Sequence, residues 1–310
     1  MTRAAAKGVL YVTGASGFVG PYVMAEARAG GFGGRRIEVA SSGLDLRDRD
    51  AVIADVTAAA PDAVLHLAAQ SSVPASFEDP AGTFAVNLGG TLNLLEALRQ
   101  SGFKGRFLYV SSGDVYGAVA EEALPVTEAH VAAPRNPYAV SKVAAELLCL
   151  QYAMSAPFEV VIARPFNHIG PGQDERFVVP ALARQIARIA DGLDPPVITA
   201  GDIDVTRDFS DVRDIVRAYG ALLEAGRAGE IYNVASGSET RVRDILCTLA
   251  GIAGVMPEVR QDAGRMRPSE QRRMVASASK LFRDTGWMPR YPLEQTLQNI
   301  LETFRNKDSL

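Results

Sequence analysis

Cysteine is scarce in this chain, with Cys149 and Cys247 the only two among 310 residues. They stand far apart, and each lies in an apolar stretch with helical spacing, so they form neither a disulfide framework nor a metal-binding pattern. We interpret both as buried, inert thiols and predict a protein of the reducing cytoplasm. A chain of this length can bury a large apolar core without disulfides or a structural metal.

Histidine and long apolar runs are also scarce. His66, His130 and His168 lack the spacing of metal ligands, so we predict no metal site. We expect His66 to be packed inside a strand. No apolar run approaches the roughly 20 residues that a membrane-spanning helix needs, so we expect no contact with a membrane interior.

The chain has no excess of basic charge. Its 32 lysines and arginines are outnumbered by 36 aspartates and glutamates, which gives a net charge of −4 at pH 7. This balance disfavours a general nucleic-acid-binding protein. The length corresponds to roughly two domains of about 150 residues each.

Short apolar runs alternate with helical patterns in the first half of the chain, as in βαβ units. The runs are rich in Val, Ile, Leu or Phe, which is typical of strands buried on both faces of a parallel sheet. Apolar residues at three- and four-residue spacing predict helices at Thr83–Gln100 and Tyr138–Tyr152. We therefore predict an α/β fold with a doubly wound parallel sheet of the Rossmann type. The predicted strands are Gly8–Thr13, Arg36–Ser41, Ala63–Leu67, Arg106–Ser111 and Val160–Arg164.

A second region begins near residue 166, where prolines and glycines interrupt this rhythm. It contains a predicted helix at Pro180–Ala190. The chain then returns to the sheet through a predicted helix at Asp211–Leu223 and a strand at Glu230–Val234. We predict two interleaved units. They are a dinucleotide-binding domain of residues 1–166 and 207–236 and a smaller mixed substrate-binding region of residues 167–206 and 237–310.

A glycine-rich loop follows the first predicted strand, with Gly14, Gly17 and Gly20 at three-residue spacing. Glycine at these positions permits a tight turn and lets backbone N–H groups approach a pyrophosphate, whose charge the following helix N-terminus favours. The position of the loop between a strand and a helix is the context that a dinucleotide site requires. The predicted cofactor residues here are Gly14, Ser16, Gly17, Phe18, Val19 and Gly20.

The end of the second predicted strand lacks the acidic residue that usually binds the 2′-hydroxyl of NAD. Ser41 and Ser42 stand there instead, and small hydroxyl side chains would not repel a 2′-phosphate. This favours NADP as the cofactor. No arginine follows at once to bind that phosphate, so NAD remains possible.

Tyr138 and Lys142 are four residues apart, on one face of a predicted helix. The lysine could lower the pKa of the tyrosine and hold the nicotinamide ribose, leaving the phenol to pass a proton to a carbonyl that accepts hydride. Ser112 follows the fourth predicted strand, where its hydroxyl could hydrogen-bond the same substrate oxygen.

These motifs occur in a characteristic order: GxxGxxG at the first strand, LHLAAQ at Leu65–Gln70, SSGDVYG from Ser111 and YAVSK from Tyr138. In order and spacing the chain resembles the extended short-chain dehydrogenase/reductase family over essentially its whole length. The resemblance implies that Ser112, Tyr138 and Lys142 are catalytic. The further cofactor positions that it implies are Ser41, Asp45, Leu46, Leu67, Ala68, Ala69, Asn87, Tyr138, Lys142 and Pro165.

The family contains dehydratases, epimerases and reductases of nucleotide sugars, so the fold does not choose the reaction. The dehydratases carry an Asp-Glu pair after the catalytic serine, where this chain has Gly113-Asp114. The GDP-fucose synthases use a cysteine and a histidine, whereas no cysteine occurs near Ser112 and the segment that would hold the histidine reads Phe177–Pro180. Carbonyl reduction and 4-epimerisation remain.

Later motifs resemble the branch that reduces GDP-linked 4-keto-6-deoxy sugars, among them RPFNHIGPGQ from Arg164 and RMRPSE from Arg265. This resemblance implies an oxidoreductase that converts GDP-4-dehydro-6-deoxy-D-mannose to GDP-D-rhamnose or its 4-epimer, GDP-6-deoxy-D-talose. The implied substrate residues are Ser112, Gly113, Asn167, Val179, Arg184, Arg207, Arg267 and Glu270. A local excess of arginine over residues 258–273 suits a diphosphate.

Two other functions stay open. A nucleotide-sugar 4-epimerase would use the same three catalytic side chains with a tightly bound NAD, and a dinucleotide sensor would bind cofactor without catalysis. We also expect a homodimer, in which the helices at Thr83–Gln100 and Tyr138–Tyr152 pair with their symmetry mates.

Overall fold

A six-stranded parallel sheet forms the centre of the fold in a computed structural model, which describes residues 8–41, 43–262 and 271–307. The strands are β1 (Val9–Thr13), β2 (Arg36–Val39), β3 (Ala63–His66), β4 (Arg106–Val110), β5 (Glu159–Pro165) and β9 (Ile231–Val234). Their order across the sheet is β2-β1-β3-β4-β5-β9, and every pairing is parallel. The prediction of a doubly wound parallel sheet is confirmed.

Helices cover both faces of this sheet. Alternate residues of β1 point to opposite faces, so Leu10 and Val12 pack with Tyr219 on one side while Tyr11 packs with Leu94 on the other. In the described part of the chain, no helix combines the length and apolarity needed to cross a membrane. The helices of this unit are α1 (Gly20–Arg28), α2 (Arg49–Ala59), α3 (Val73–Glu78), α4 (Pro80–Phe84), α5 (Gly90–Gln100), α6 (Pro137–Ser155), α8 (Val212–Ala225) and α10 (Ser279–Thr285).

The predicted helix at Thr83–Gln100 is not one regular helix. Helix α4 leads into a single π-helical turn at Ala85–Gly89, and α5 continues from Gly90. The apolar spacing could not reveal this turn, because one residue inserted into a helix leaves most of the pattern intact. Turns of this type occur frequently at functional sites, and this one carries the buried Asn87.

The second region is built on a separate apolar core. Val179, Leu182, Ile186, Leu246 and Leu301 come together there from three helices. Five short strands also belong to this part of the chain, and no sequence pattern marked them. The elements are α7 (Val178–Ala190), α9 (Val242–Ala253), α11 (Leu293–Lys307), β6 (Asn167–Ile169), β7 (Val197–Ala200), β8 (Thr206–Asp211), β10 (Glu239–Arg241) and β11 (Glu258–Gln261).

The two cores are joined where β8 passes directly into α8. Phe209 of β8 packs in the second core, whereas Ile215 of α8 packs against the main sheet. Asp211 stands at the junction, where its carboxylate accepts hydrogen bonds from the backbone N–H of Arg213 at 2.7 Å and from Thr296 Oγ1 of α11 at 2.7 Å. The domain boundaries remain a prediction. Phe209 of β8 packs in the second core and Leu281 of α10 packs in the main one, although the predicted division assigns each of them to the other unit.

The expectation of two buried thiols is half wrong. Cys149 is buried in α6, but Cys247 is exposed on α9. Val242, Ile245 and Leu249 turn one face of α9 towards the core, and Cys247 lies on the other face.

We predict that Asp208→Ala lowers the free energy of unfolding by about 3 kcal/mol, because it leaves buried donors without an acceptor. The Asp208 carboxylate is fully buried and accepts hydrogen bonds from the N–H groups of Ser236 at 2.8 Å and Gly237 at 3.0 Å, and from Ser236 Oγ at 2.6 Å. Urea unfolding measures the loss. The control Asp194→Ala removes an exposed partner of Arg188 and should leave the urea midpoint unchanged. Equal effects of the two substitutions would contradict this account of Asp208.

Candidate active site

The glycine-rich loop between β1 and α1 has the shape that a pyrophosphate requires. Gly14 has φ +71°, and a Cβ there would lie 2.5 Å from the backbone nitrogen of Ala68. A Cβ at Gly20 would lie 1.8 Å from the carbonyl oxygen of Ala15. The first turn of α1 contains no acidic residue, so its N-terminus remains attractive to an anion. These residues therefore fit a dinucleotide phosphate group.

Buried hydrogen bonds hold the loop that follows β3 against this cradle. His66 bonds through its two ring nitrogens to Thr13 Oγ1 at 2.6 Å and to Thr91 Oγ1 at 3.0 Å, and burial lowers its pKa to about 3. His66 is thus packed inside the strand, as predicted. Thr13 Oγ1 also accepts the backbone N–H of Ala68 at 3.3 Å. The predicted cofactor residues Leu67, Ala68 and Ala69 follow directly, and the backbone of Leu67 and Ala68 lies beside Gly14.

Asn87 shapes the same loop from the π-helical turn. Its side-chain amide accepts the Gln70 N–H at 2.8 Å and donates to the Gln70 carbonyl at 3.0 Å and to Ser141 Oγ at 2.9 Å. These contacts tie the loop after β3 to α6. The Asn87 side chain thus fixes the position of the loop that carries the predicted cofactor residues.

Asp55 was not singled out by the sequence, yet it engages the predicted adenosine end of the site. Its carboxylate accepts hydrogen bonds from the Ser41 hydroxyl, from the Ser41 N–H at 3.2 Å and from Tyr11 Oη at 2.5 Å. The Ser41 hydroxyl thus already donates a hydrogen bond within the protein. Asp45 is paired with Arg47 at 2.6 Å, which lowers its pKa to about 2. Leu46 is buried, and a Cβ built on Gly90 of α5 would lie 2.8 Å from the Leu46 Cβ.

Ser112, Tyr138 and Lys142 come together at the carboxyl edge of the sheet. Helix α6 begins at Pro137, and the Asn136 side chain caps it by accepting the Ala139 N–H at 2.7 Å. The Tyr138 hydroxyl is hydrogen-bonded to the Ser112 side chain. Both Tyr138 and Lys142 are buried. The three residues of the predicted trio therefore share one site.

Lys142 is oriented by β4. Its Nζ donates a hydrogen bond to the Val110 carbonyl at 2.8 Å and lies 5.0 Å from the ring centroid of Tyr109. The distance to the ring centroid of Tyr138 is 6.0 Å. Burial lowers the pKa of Lys142 to about 8, while the nearby Glu146 carboxylate acts in the opposite direction.

The structure contradicts the expectation that Lys142 gives Tyr138 a low pKa. Burial, followed by the negative charge of Asp114, raises the pKa of the Tyr138 phenol, and the hydrogen bond to Ser112 offsets only part of this. The Lys142 ammonium instead points at the Val110 carbonyl. The phenol therefore retains its proton near neutral pH, as a proton donor must.

Gly113 and Asp114 follow Ser112 directly, in the short helical turn after β4. A Cβ at Gly113 would lie 3.0 Å from ring carbons of Phe166, so the two residues pack closely. Asp114 is open to solvent, yet the surrounding protein desolvates its carboxyl and raises its pKa, while Arg207 acts to lower it. Burial lowers the pKa of the Arg207 guanidinium. Neither Phe166 nor Asp114 was assigned a role from sequence, although Asp114 stands only two residues after Ser112.

Other predicted substrate residues are dispersed. Asn167 is exposed at the start of β6. The Val179 side chain is fully buried in the second core, which leaves only its backbone near the N-terminus of α7 for a ligand. Arg184 is half-exposed and paired with Glu175.

The predicted basic patch is largely outside the described residues or already paired. Arg267 and Glu270 lie outside the described residues. Arg272 pairs with Asp202 at 3.1 Å and Arg273 with Glu239 at 2.7 Å. Across residues 8–41, 43–262 and 271–307, no group of three His, Cys, Asp or Glu side chains gathers into a metal site.

A family model described as GDP-mannose 4,6 dehydratase matches residues 36–300. The chain belongs to this family. The match covers most of the chain, and the family is part of the extended short-chain dehydrogenase/reductases, so the resemblance seen in the sequence is confirmed.

A curated relative and two solved structures align with the chain over nearly its full length. The GDP-6-deoxy-D-mannose reductase of Pseudomonas aeruginosa is 50% identical over 298 residues, which cover 96% of this chain and 97% of that protein. The structure of RMD from Pseudomonas aeruginosa complexed with NADPH superposes with a TM-score of 0.91 at 48% identity, covering 97% and 100% of the two chains. The UDP-glucose 4-epimerase of Thermus thermophilus, solved with NAD, gives a TM-score of 0.82 at 32% identity, covering 96% and 99%.

We predict that Gly14→Ala weakens NADPH binding by about tenfold or more, because the added methyl group collides with backbone atoms of the loop after β3. Fluorescence titration with NADPH measures the affinity. Gly30→Ala is the matched control, since Gly30 also has positive φ (+90°) but no atom within 4 Å of its Cβ position. Equal losses of affinity in the two variants would show that backbone strain, and not the close approach, is responsible.

Proposed function

We propose that this protein is a nucleotide-sugar 4-ketoreductase that uses NADPH, or NADH in its place, to reduce GDP-4-dehydro-6-deoxy-D-mannose. The product is GDP-D-rhamnose or the 4-epimer GDP-6-deoxy-D-talose. The observation that carries this proposal is the 50% identity to GDP-6-deoxy-D-mannose reductase along nearly the whole of both chains. The joining of Ser112, Tyr138 and Lys142 in one site supports it.

The proposed chemistry assigns one role to each member of the trio. The reduced nicotinamide, when bound, supplies hydride to the carbonyl carbon. Tyr138 donates its phenolic proton to the carbonyl oxygen as negative charge develops there, and Ser112 hydrogen-bonds the same oxygen. Lys142 holds the nicotinamide ribose. The raised pKa of Tyr138 suits this direction of reaction, because the proton stays on the phenol until the oxygen becomes a stronger base.

The surroundings of Gly113 support reduction over dehydration. Elimination of water needs an acid and a base in addition to the trio, and Gly113 supplies no side chain. A Cβ at Gly113 would lie 3.0 Å from ring carbons of Phe166, so even the first atom of such a side chain would press on this ring. Only Asp114 remains of the pair that the dehydratases carry.

We propose that the nucleotide half of the substrate lies between Asn167, Arg184 and Arg207. Arg207 is the best supported of these, because its partly buried guanidinium is electrostatically coupled to Asp114 beside the catalytic trio. Arg267 and Glu270 are proposed to complete this site on the strength of the family resemblance. This arrangement places substrate at the junction of the two proposed domains.

We predict that the purified protein oxidises one NADPH for each sugar reduced, and that Tyr138→Phe lowers kcat by about 100-fold or more through loss of the proton donor. NADPH absorbance gives the rate, and product NMR identifies the epimer formed. The affinity of Tyr138→Phe for NADPH should stay close to that of the wild type. Tyr152→Phe is the control, because Tyr152 lies on the same helix but its hydroxyl contacts Glu96.

Two outcomes would overturn the proposal. Interconversion of GDP-sugars with no net oxidation of NADPH would identify a 4-epimerase that retains its nicotinamide. Cofactor binding with no turnover of GDP- or dTDP-linked 4-keto sugars would favour a dinucleotide sensor, in which Tyr138 has no chemical task.

We further propose that the protein is a homodimer of the cytoplasm. Val140, Leu147 and Met154 recur at seven-residue spacing on the exposed side of α6, and Leu92 is exposed on α5. Such a stripe is suited to pair with its own copy in a four-helix bundle. The exposed thiol of Cys247 supports a reducing compartment, where it would not oxidise.

We predict that Leu147→Asp produces a monomer, because it buries a charge in the apolar interface of the proposed dimer. Light scattering after size-exclusion chromatography measures the mass. Met256→Asp is the control, since Met256 is more exposed but stands apart from α6. A wild-type protein that is monomeric at high concentration would contradict the proposed dimer.

A further inference from the structure

A buried ion pair lies directly behind the catalytic lysine. Arg164 Nε donates to Glu146 Oε1 at 2.9 Å, and Arg164 Nη2 donates to Glu146 Oε2 at 2.6 Å. The two side chains are 6% and 3% exposed, so the pair is almost completely removed from water. Neither residue belongs to the proposed catalytic trio or to the proposed cofactor and substrate residues.

The pair connects the elements that carry the catalytic groups. Glu146 lies on α6 one turn after Lys142, and Arg164 lies on β5 immediately before Pro165. The Arg164 guanidinium also stacks over the ring of Tyr116 at 4.8 Å, and Tyr116 ends the short turn that begins after Ser112. One guanidinium therefore contacts the helix of Tyr138 and Lys142 and the turn of Ser112.

Stability alone does not explain this pair. Removing two charges from water is costly, and buried ion pairs can often be replaced by apolar side chains of similar size without loss of stability. The aromatic contact and the two parallel hydrogen bonds instead fix the relative positions of α6, β5 and the turn after β4.

The charge of the pair also reaches Lys142. The titratable groups that face Lys142 are Tyr138, Glu146 and Cys149 from α6, Tyr109 from β4 and His66 from β3. Glu146 is the only carboxylate in that set. Its negative charge favours the ammonium form of Lys142, which burial disfavours, and Arg164 moderates that charge.

We propose that Glu146 and Arg164 form a positioning pair that aligns Lys142 with Ser112 and Tyr138 and keeps Lys142 in its charged form. This role rests on the proposed catalytic function of the trio. Neither residue is proposed to touch substrate or cofactor.

The experiment uses single and double variants of the pair, with kcat, KM and pH profiles for NADPH and the GDP-4-keto sugar. We expect Glu146→Gln to lower kcat by about tenfold or more, while KM for the sugar changes by less than about threefold. Burial holds the pKa of Lys142 near 8, so rate is lost as pH rises through that value. Loss of the Glu146 charge lowers the pKa of Lys142 further, so the alkaline limb of the pH–rate profile should move to lower pH.

Arg164→Met should move the same limb to higher pH, because it leaves the Glu146 charge unmoderated beside Lys142. The double variant E146Q/R164M carries neither charge, so its limb should lie at lower pH than that of the wild type but at higher pH than that of Glu146→Gln, and its kcat should stay below the wild-type value. If Glu146→Gln does not fold, the double variant still tests the role, since it leaves no charge buried without a partner. Thermal unfolding of each variant separates loss of rate from loss of folded protein.

Glu159→Gln is the matched control. It removes the carboxylate of the Arg106–Glu159 pair, which joins β4 to β5 at 2.6 Å but is partly exposed and lies at the other end of the strands. Its kinetics and pH profile should equal those of the wild type. Unshifted alkaline limbs in both single variants, or a double variant with the rate and profile of the wild type, would overturn the proposal.

Failure of the proposed function would give a different experimental result from failure of the positioning pair. In that case the wild type itself would not turn over the GDP-sugar. The positioning pair would remain testable through the pH dependence of NADPH affinity, which should shift in opposite directions in Glu146→Gln and Arg164→Met if the charge of Lys142 is controlled by the pair.

Discussion

The packing of α6 against the carboxyl ends of β4 and β5 is the constraint on which the site depends. One buried face of this helix presents Tyr138, Lys142 and Glu146 on successive turns, and each meets a partner from the sheet or from the loops beyond it. Tyr138 meets Ser112, Lys142 meets the Val110 carbonyl and Glu146 meets Arg164. A small rotation of α6 would disturb all three contacts together, so the geometry of the catalytic groups is set by helix packing.

Burial of that face has opposite effects on the two central titratable groups. It raises the pKa of Tyr138 and lowers the pKa of Lys142 to about 8, because low polarity disfavours a phenolate and an ammonium alike. The first effect keeps the proton on the donor. The lowered pKa of Lys142 reduces the fraction of the ammonium form that the proposed ribose contact uses. The Glu146 carboxylate, one turn further along α6, opposes this effect. The burial that keeps the proton on Tyr138 is thus also the reason that Lys142 needs a carboxylate nearby.

The main sheet and the proposed catalytic trio could both be predicted from the sequence, because both are encoded locally. Buried parallel strands appear as continuous apolar runs, and Tyr138 and Lys142 stand four residues apart on a single helix. The strands β6 and β10 have three residues each and exist through their pairing with β8, so no local pattern revealed them. Asp55 and the Glu146–Arg164 pair were missed for a related reason. Their partners lie 14 and 18 residues away and meet only in the folded chain.

The proposed trio does not by itself distinguish carbonyl reduction from 4-epimerisation, so the choice of reaction depends on the residues around it. Gly113 shows how such a choice becomes fixed in the fold. An acidic side chain at this position would need room, yet the Phe166 ring lies within 3.0 Å of where its Cβ would be. Phe166 stacks in turn on Tyr116, with ring centroids 6.1 Å apart, and Tyr116 packs under the Arg164 guanidinium. The absence of the acid is therefore built into the same packed cluster that holds the catalytic elements together. A side chain introduced at Gly113 would first have to displace the Phe166 ring within this cluster.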